Sequence, residues 1–167
     1  MLVAHAPVGW LTGSTLRGRS ARVACVVGAL LPDVDVVPSL VLHVHHHDWP
    51  THWPVTWLLL GLGVAPLLAG RARPVARLVL LALANAELHL ALDTLAGDVR
   101  WLAPWSFQPF ALVHVQRTFE PWWVNFLLHP TFLAELALVA LATHRWRRAA
   151  TCERPSPDDS RCHRRTP

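Results

Sequence analysis

The chain has 167 residues, a length that suits one domain. It is 53% hydrophobic and only 16% charged, with a mean hydropathy of +0.31, whereas soluble domains are nearer a quarter charged; this argues against an ordinary soluble fold and for a membrane-embedded one. The formal charge of +4 comes from fifteen basic residues, all arginine, many in the last two dozen positions. No stacking aromatics interleave with them, so the charge points to a membrane surface and excludes a nucleic-acid face.

Residues 2–16 are mostly apolar but carry His5 and Gly9, and they end at Arg17-Gly18-Arg19. Residues 20–31 form a second apolar run that stops at Pro32-Asp33. Each arm is shorter than the ~20 residues needed to span a bilayer. Together they predict a short helical hairpin, with Gly9, Gly13 and Gly28 allowing close backbone approach. No basic stretch precedes the first arm, so it is not expected to be a cleaved signal peptide.

Residues 33–52 form a polar loop holding five of the eleven histidines, at 43, 45, 46, 47 and 52. Such a tract is either a solvated loop and adventitious metal binder or part of a specific site. Residues 53–70 are apolar, with Pro54 suited to a first helical turn. Arg71 to Arg77 make a basic turn, and residues 75–97 are apolar again, with Gly97 placed as a C-cap. Residues 98–121 are a Trp- and Pro-rich loop expected to fold back on the interface. Residues 122–143 are the last apolar helix, kinked at Pro130. Residues 144–167 read as a disordered basic tail outside the domain of residues 1–143. The fold class is therefore all-α, a polytopic bundle of about four to five membrane helices.

Nearly all the arginines fall on one side of this arrangement; only Arg100 and Arg117 fall on the other. The positive-inside rule makes the first side cytoplasmic, so loops 33–52 and 98–121 face outward from an inner membrane. Nine tryptophans and no tyrosine, with Trp49, Trp53, Trp101, Trp105, Trp122 and Trp123 near run ends, fit an interfacial belt. Three cysteines make no disulfide framework.

Asn85, His89 and Asp93 are spaced to share one helix face, so His89 and Asp93 can point at one ion. A lone helical histidine is more often a satisfied core residue, but paired ionisable groups in a membrane segment are costly and mark function. Asp33 and Asp35 follow a helix end, where the dipole opposes negative charge and a cation relieves it. In an extended Asp-Val-Asp the side chains diverge, which leaves one of the two as a direct ligand. Glu120, His129 and Glu135 are candidates for the surrounding shell, together with Asn85.

Leu31-Pro32-Asp33-Val34-Asp35, His47 through Thr51-His52, and His89-Leu90-Ala91-Leu92-Asp93 also occur in the order of a known family. Over residues 5–135 the chain resembles the YdjM-like, membrane-bound, metal-dependent hydrolases of bacteria, with His5 as the family's early histidine. The resemblance implies a polytopic membrane protein and a hydrolase. The expected metal ligands are His5, Asp33, His47, His52, His89 and Asp93, around a divalent metal, for which imidazole and carboxylate donors favour zinc. Asp35, Asp93 or a spare histidine such as His46 would relay protons. Arg100, His114 and Arg117 would contact substrate, expected to be a phosphate ester, lipid or lipid-linked, and no nucleic acid. The competing reading is a non-enzymatic metal-binding membrane protein, a transporter or scaffold.

Overall fold

The computed structural model describes residues 3–121 and 123–152. Among these it is helical: α1 His5–Ser14, α2 Arg19–Leu30, α3 Val36–Leu42, α4 Pro54–Val64, α5 Arg73–Asp93, α6 Trp123–Leu128 and α7 Thr131–Cys152. Short 3₁₀ turns occupy 32–35, 46–48, 50–52 and 65–69.

α1 and α2 form the expected hairpin, and glycine sets its spacing. A Cβ on Gly9 would lie 2.8 Å from Ala29 Cβ, and one on Gly13 would lie 2.6 Å from Arg22 Cα. Gly28 is tighter still, since its Cβ would fall 2.0 Å from the Ala82 carbonyl oxygen. That contact presses α2 backbone to backbone against α5. The Thr12 hydroxyl donates to Asn85 Oδ1 at 2.6 Å and ties α1 to the same helix.

α4 begins at Pro54, where the missing N–H breaks no helical bond. It lies along α5 through a small core of Trp57, Leu83, Ala86, Leu90 and Val99. The Trp57 indole donates to the Thr51 carbonyl at 2.8 Å, so burying this side chain also fixes the segment that precedes α4. Beyond α5, the chain returns across its end. Val99 bridges Phe110, and the amides of Leu112 and Val113 bond the carbonyls of Thr94 and Leu95. Residues 99–113 thus fold back on the end of α5.

Four elements differ from the sequence reading. The histidine-rich segment is not all loop: residues 36–42 form α3, whose Val37, Leu40 and Val41 are exposed. Helix α5 ends at Asp93, so Gly97 is not a helix cap. Pro130 breaks the last helix instead of kinking it, because residue 130 separates α6 from α7. Finally, α7 runs on to Cys152, past the end expected at 143, since Arg145, Arg147 and Arg148 are good helix formers that extend an apolar stem. The remainder of the basic tail lies outside the described residues.

Among the described residues one helix, α5, is long and apolar enough to cross a membrane, and α2 with residues 32–42, bent by 44°, passes together as a second. This is fewer than the four to five expected, because α1 and α4 are short and α7 carries Glu135 and its arginines. The surface is nonetheless apolar over long stretches: Val23, Val27, Leu58, Leu59, Leu60, Leu62 and Val75 are all exposed. Patches of that extent mark a surface meant for contact with something apolar.

The Gly28 contact generates the first prediction. Gly28→Ala forces a methyl into the Ala82 backbone and costs about 1–3 kcal/mol, whereas Gly63→Ala, with open space around it, costs nothing. Thermal unfolding of the two variants in detergent should separate them by several degrees. Equal midpoints would mean that α2 and α5 do not approach this closely.

Candidate metal centre

The end of α5 brings the separate motifs together. His89 and Asp93, one turn apart, are both buried there, with His89 Nε2 3.1 Å from Asp93 Oδ2. His5, from the first turn of α1, lies 3.1 Å from Asp93 Oδ1 through its Nε2. His47 and His52, from the two 3₁₀ turns before α4, bring their Nε2 atoms to 3.5 Å and 3.8 Å from Asp93 Oδ2. Asp33 closes the group, its Oδ1 3.5 Å from His89 Nε2 and 3.9 Å from His52 Nε2. All six expected ligands therefore converge. Five are buried, and Asp33, 34% exposed, forms the open edge.

The ring orientations are fixed from outside. His89 Nδ1 donates to the Ala29 carbonyl at 2.8 Å, His47 Nδ1 to the Asp98 carbonyl at 3.0 Å, and His52 Nδ1 to Asp35 Oδ2 at 2.8 Å. Each of these partners accepts, so each Nδ1 carries a proton, and on the neutral ring each Nε2 turns a lone pair inward. The Nε2 atoms of His52 and His89 are buried and face carboxylate oxygens. Ring nitrogens thus face carboxylate oxygens in a mostly buried space, an arrangement that needs either a proton or a cation between them. The residues fit a divalent metal, and the carbonyl and carboxylate behind each imidazole are the second-layer contacts that metal-binding histidines use.

Asp35 belongs to that second layer. It is 2% exposed, accepts from His52 and from the Thr51 hydroxyl, and faces away from the open edge. Of the two aspartates Asp33 turns toward the cluster and Asp35 does not, and the backbone between them is a 3₁₀ turn instead of the expected extended segment. His46 is half-buried at the rim, its ring centroid 4.2 Å from that of His47. Burial, with His47, His52 and His45 adding to it, pushes its pKa down to about 3. His46 is therefore a neutral donor at any ordinary pH. His45 is shifted down by the same burial and by His47.

The other expected contacts are distributed differently. Arg100 pairs with Asp48 at 2.5 Å, beside His47, and keeps to the rim of the site. Arg117 pairs with Glu120 on the exposed surface at 2.8 Å. His114 and His129 line a separate cavity of about 380 Å³ with Asn125 and Phe119. None of these last four is brought to the cluster, because the loop from 114 to 120 is organised by Asn125, which bonds the backbone of Thr118 and Phe119. Glu135, buried on α7, accepts from the Val3 amide at 2.7 Å and so holds the entry to α1 two residues before His5. Asn85 supports α1 through Thr12 and does not reach the ligands.

Two contributors carry no sequence signal. The carbonyls of Ala29 and Asp98 are backbone atoms, invisible in residue identity. Gly97 is legible only as a glycine: a Cβ there would lie 2.9 Å from His47 Cε1, so its function is to make room for that ring.

A family model, described as YdjM inner membrane protein, matches residues 1–153. The chain belongs to this family. That membership makes it an inner membrane protein and agrees with the resemblance carried by the His and Asp motifs. No curated protein and no solved structure matches the chain.

Asp35 gives the second prediction. Removing the carboxylate behind a ligating imidazole weakens metal binding about 10- to 100-fold. Asp35→Ala should show that loss in a chelator competition with zinc while eluting as the parent does on gel filtration. Unchanged affinity would reduce the Asp35–His52 contact to packing.

Proposed function

We propose that this YdjM-family protein is a membrane-bound, metal-dependent hydrolase that acts on a phosphate ester, lipid or lipid-linked, at the outer membrane interface. The observation that carries the reading is the set of four imidazole nitrogens gathered around Asp93, open at Asp33. A divalent metal held there, with zinc the favoured choice for imidazole-rich donors, supplies Lewis acidity toward a phosphoryl oxygen and acidifies water. The chain's own residues do the rest. Asp35, Ala29 and Asp98 hold three imidazoles in one tautomer. Leu90 and Val99, each next in sequence to a residue of the site, are fully buried in the apolar core.

Helix directions support a bundle that crosses the bilayer. The site lies at the start of α1 and α4 and at the end of α2 and α5, while Arg17, Arg19, Arg71 and Arg73 lie at the opposite ends of these helices. Arg145 to Arg148 follow the same pattern on α7, whose beginning is near Val3. Under the positive-inside rule the site then faces outward and α7 ends in the cytoplasm. An open, mainly apolar groove of about 770 Å³ is lined by Pro54, Val55, Leu58, Leu88, Trp101 and Trp105, with Glu87 as its one ionisable side chain. It suits an acyl chain of a substrate that reaches the metal centre from within the bilayer.

The phosphate assignment is checked with zinc-loaded protein in detergent, offered phospholipids, soluble phosphoesters and carboxylic esters. Phosphoester turnover should appear and fall to background in His89→Ala. Turnover of carboxylic esters alone would overturn the substrate class, and no turnover of any ester would favour a non-enzymatic metal-binding role. Orientation is checked separately, on a chain whose own cysteines are replaced by serine. A membrane-impermeant thiol reagent added to intact cells should label Val44→Cys and not Ala72→Cys. The reverse pattern would invert the topology.

A further inference from the structure

The cluster holds more donors than one hydrolytic ion can use. Such an ion takes three protein ligands and keeps a position open for water or substrate. Here five imidazoles and two carboxylates crowd together, counting His46. Gathered around one ion they would saturate it and leave no open position.

The donors also divide. His5, Asp33 and His89 form one set and His46, His47 and His52 another; the sets share no residue, and within each the ligand atoms lie within 4.8 Å of one another. The rings divide in the same way. His5 and His89 stack with centroids 3.6 Å apart and planes 17° apart, and His47 and His52 pair at 4.7 Å and 31°. Across the divide, His52 and His89 are 5.6 Å apart and nearly perpendicular, at 69°. Asp93 stands at the seam. Its Oδ1 is 3.1 Å from His5 Nε2, and its Oδ2 is 3.1 Å from His89 Nε2 and 3.5 Å from His47 Nε2. Together with His52 and His89 it makes a third possible group, one histidine from each set plus the shared carboxylate.

We propose that the centre is built for two divalent ions bridged by Asp93, one held by His5, Asp33 and His89 and the other by His46, His47 and His52. The inference rests on the metal-centred reading above and deepens it. It makes His46 a ligand instead of a proton relay. It also changes the charge of the site. One divalent ion against Asp33 and Asp93 leaves the centre neutral, whereas two leave it with a net charge of about +2, the imidazoles being neutral ligands. A positive centre attracts an anionic ester, and paired ions about 3.5–4 Å apart clamp both the attacking and the leaving oxygen of a phosphoryl group.

The test is metal content, read without any substrate. The full chain is purified in detergent, equilibrated with zinc, desalted, and assayed for zinc and protein by mass spectrometry. The parent should hold two zinc ions per chain. His5→Ala and His47→Ala should each hold one, since each removes a ligand from a different set, and their helical circular dichroism should match the parent's. As a gentler change at the rim, His46→Ala should retain the first ion and bind the second at least 10-fold more weakly. One zinc in the parent, lost in both His5→Ala and His47→Ala, would overturn the two-ion centre and leave a single-ion hydrolase standing. Two zinc ions retained in both variants would overturn the ligand assignment. No zinc in the parent would overturn the metal reading itself.

Discussion

Imidazole nitrogens that face carboxylates in a mostly buried space need a proton or a metal ion between them, and much of this molecule is arranged to make them face. The Nε2 atoms of His5, His47, His52 and His89 point at Asp93, and three of those rings are held from behind by groups that can only accept a hydrogen bond. Reversing one tautomer would leave a buried carbonyl or carboxylate without its donor, a loss of about 1–3 kcal/mol. The ring orientations are therefore set by the scaffold, before any ion arrives.

The close helix contacts exist to serve that geometry. Ala29 can present its carbonyl to His89 because Gly28, beside it, lets α2 settle onto the backbone of Ala82. Gly97 makes the corresponding room for His47. Trp57, buried in the core between α4 and α5, holds the Thr51 carbonyl, while the Thr51 hydroxyl holds Asp35 and Asp35 holds His52. Burial of one apolar side chain is thereby linked through three hydrogen bonds to the orientation of one ligand.

Charge is segregated along the helices. Ionisable groups are expensive in hydrocarbon, and here they collect at one end of α5, with arginine at the other. The apolar length between them is what an inner membrane protein requires. The loop that closes over the end of α5 supplies Asp98 to the site and Arg100 to its rim. Its continuation folds around Asn125 as a separate unit, which is why Arg117, His114 and Glu120 stay away from the His/Asp cluster.

The sequence alone determined what local spacing can determine. A helical repeat of 3.6 residues puts His89 and Asp93 on one face, Pro54 marks a helix start, the glycines of the first two arms mark a tight hairpin, and the arginines mark one end. The motif order also pointed to the six residues that cluster around Asp93 and to the family. What the sequence left undecided depends on contacts between distant segments. Asp33 and Asp35 are near-identical in a sequence; only the 3₁₀ turn at 32–35, placed against α5, sends one to the ligands and the other behind His52. Gly97 looked like a helix cap because a glycine after an apolar run usually is one, and its true neighbour, His47, is fifty residues away. The reach of Ala29 to His89 across sixty residues uses a backbone oxygen that every residue possesses. Tertiary structure decided these points because a side chain's partner is set by which backbones can approach, and that depends on surfaces formed only when the helices pack.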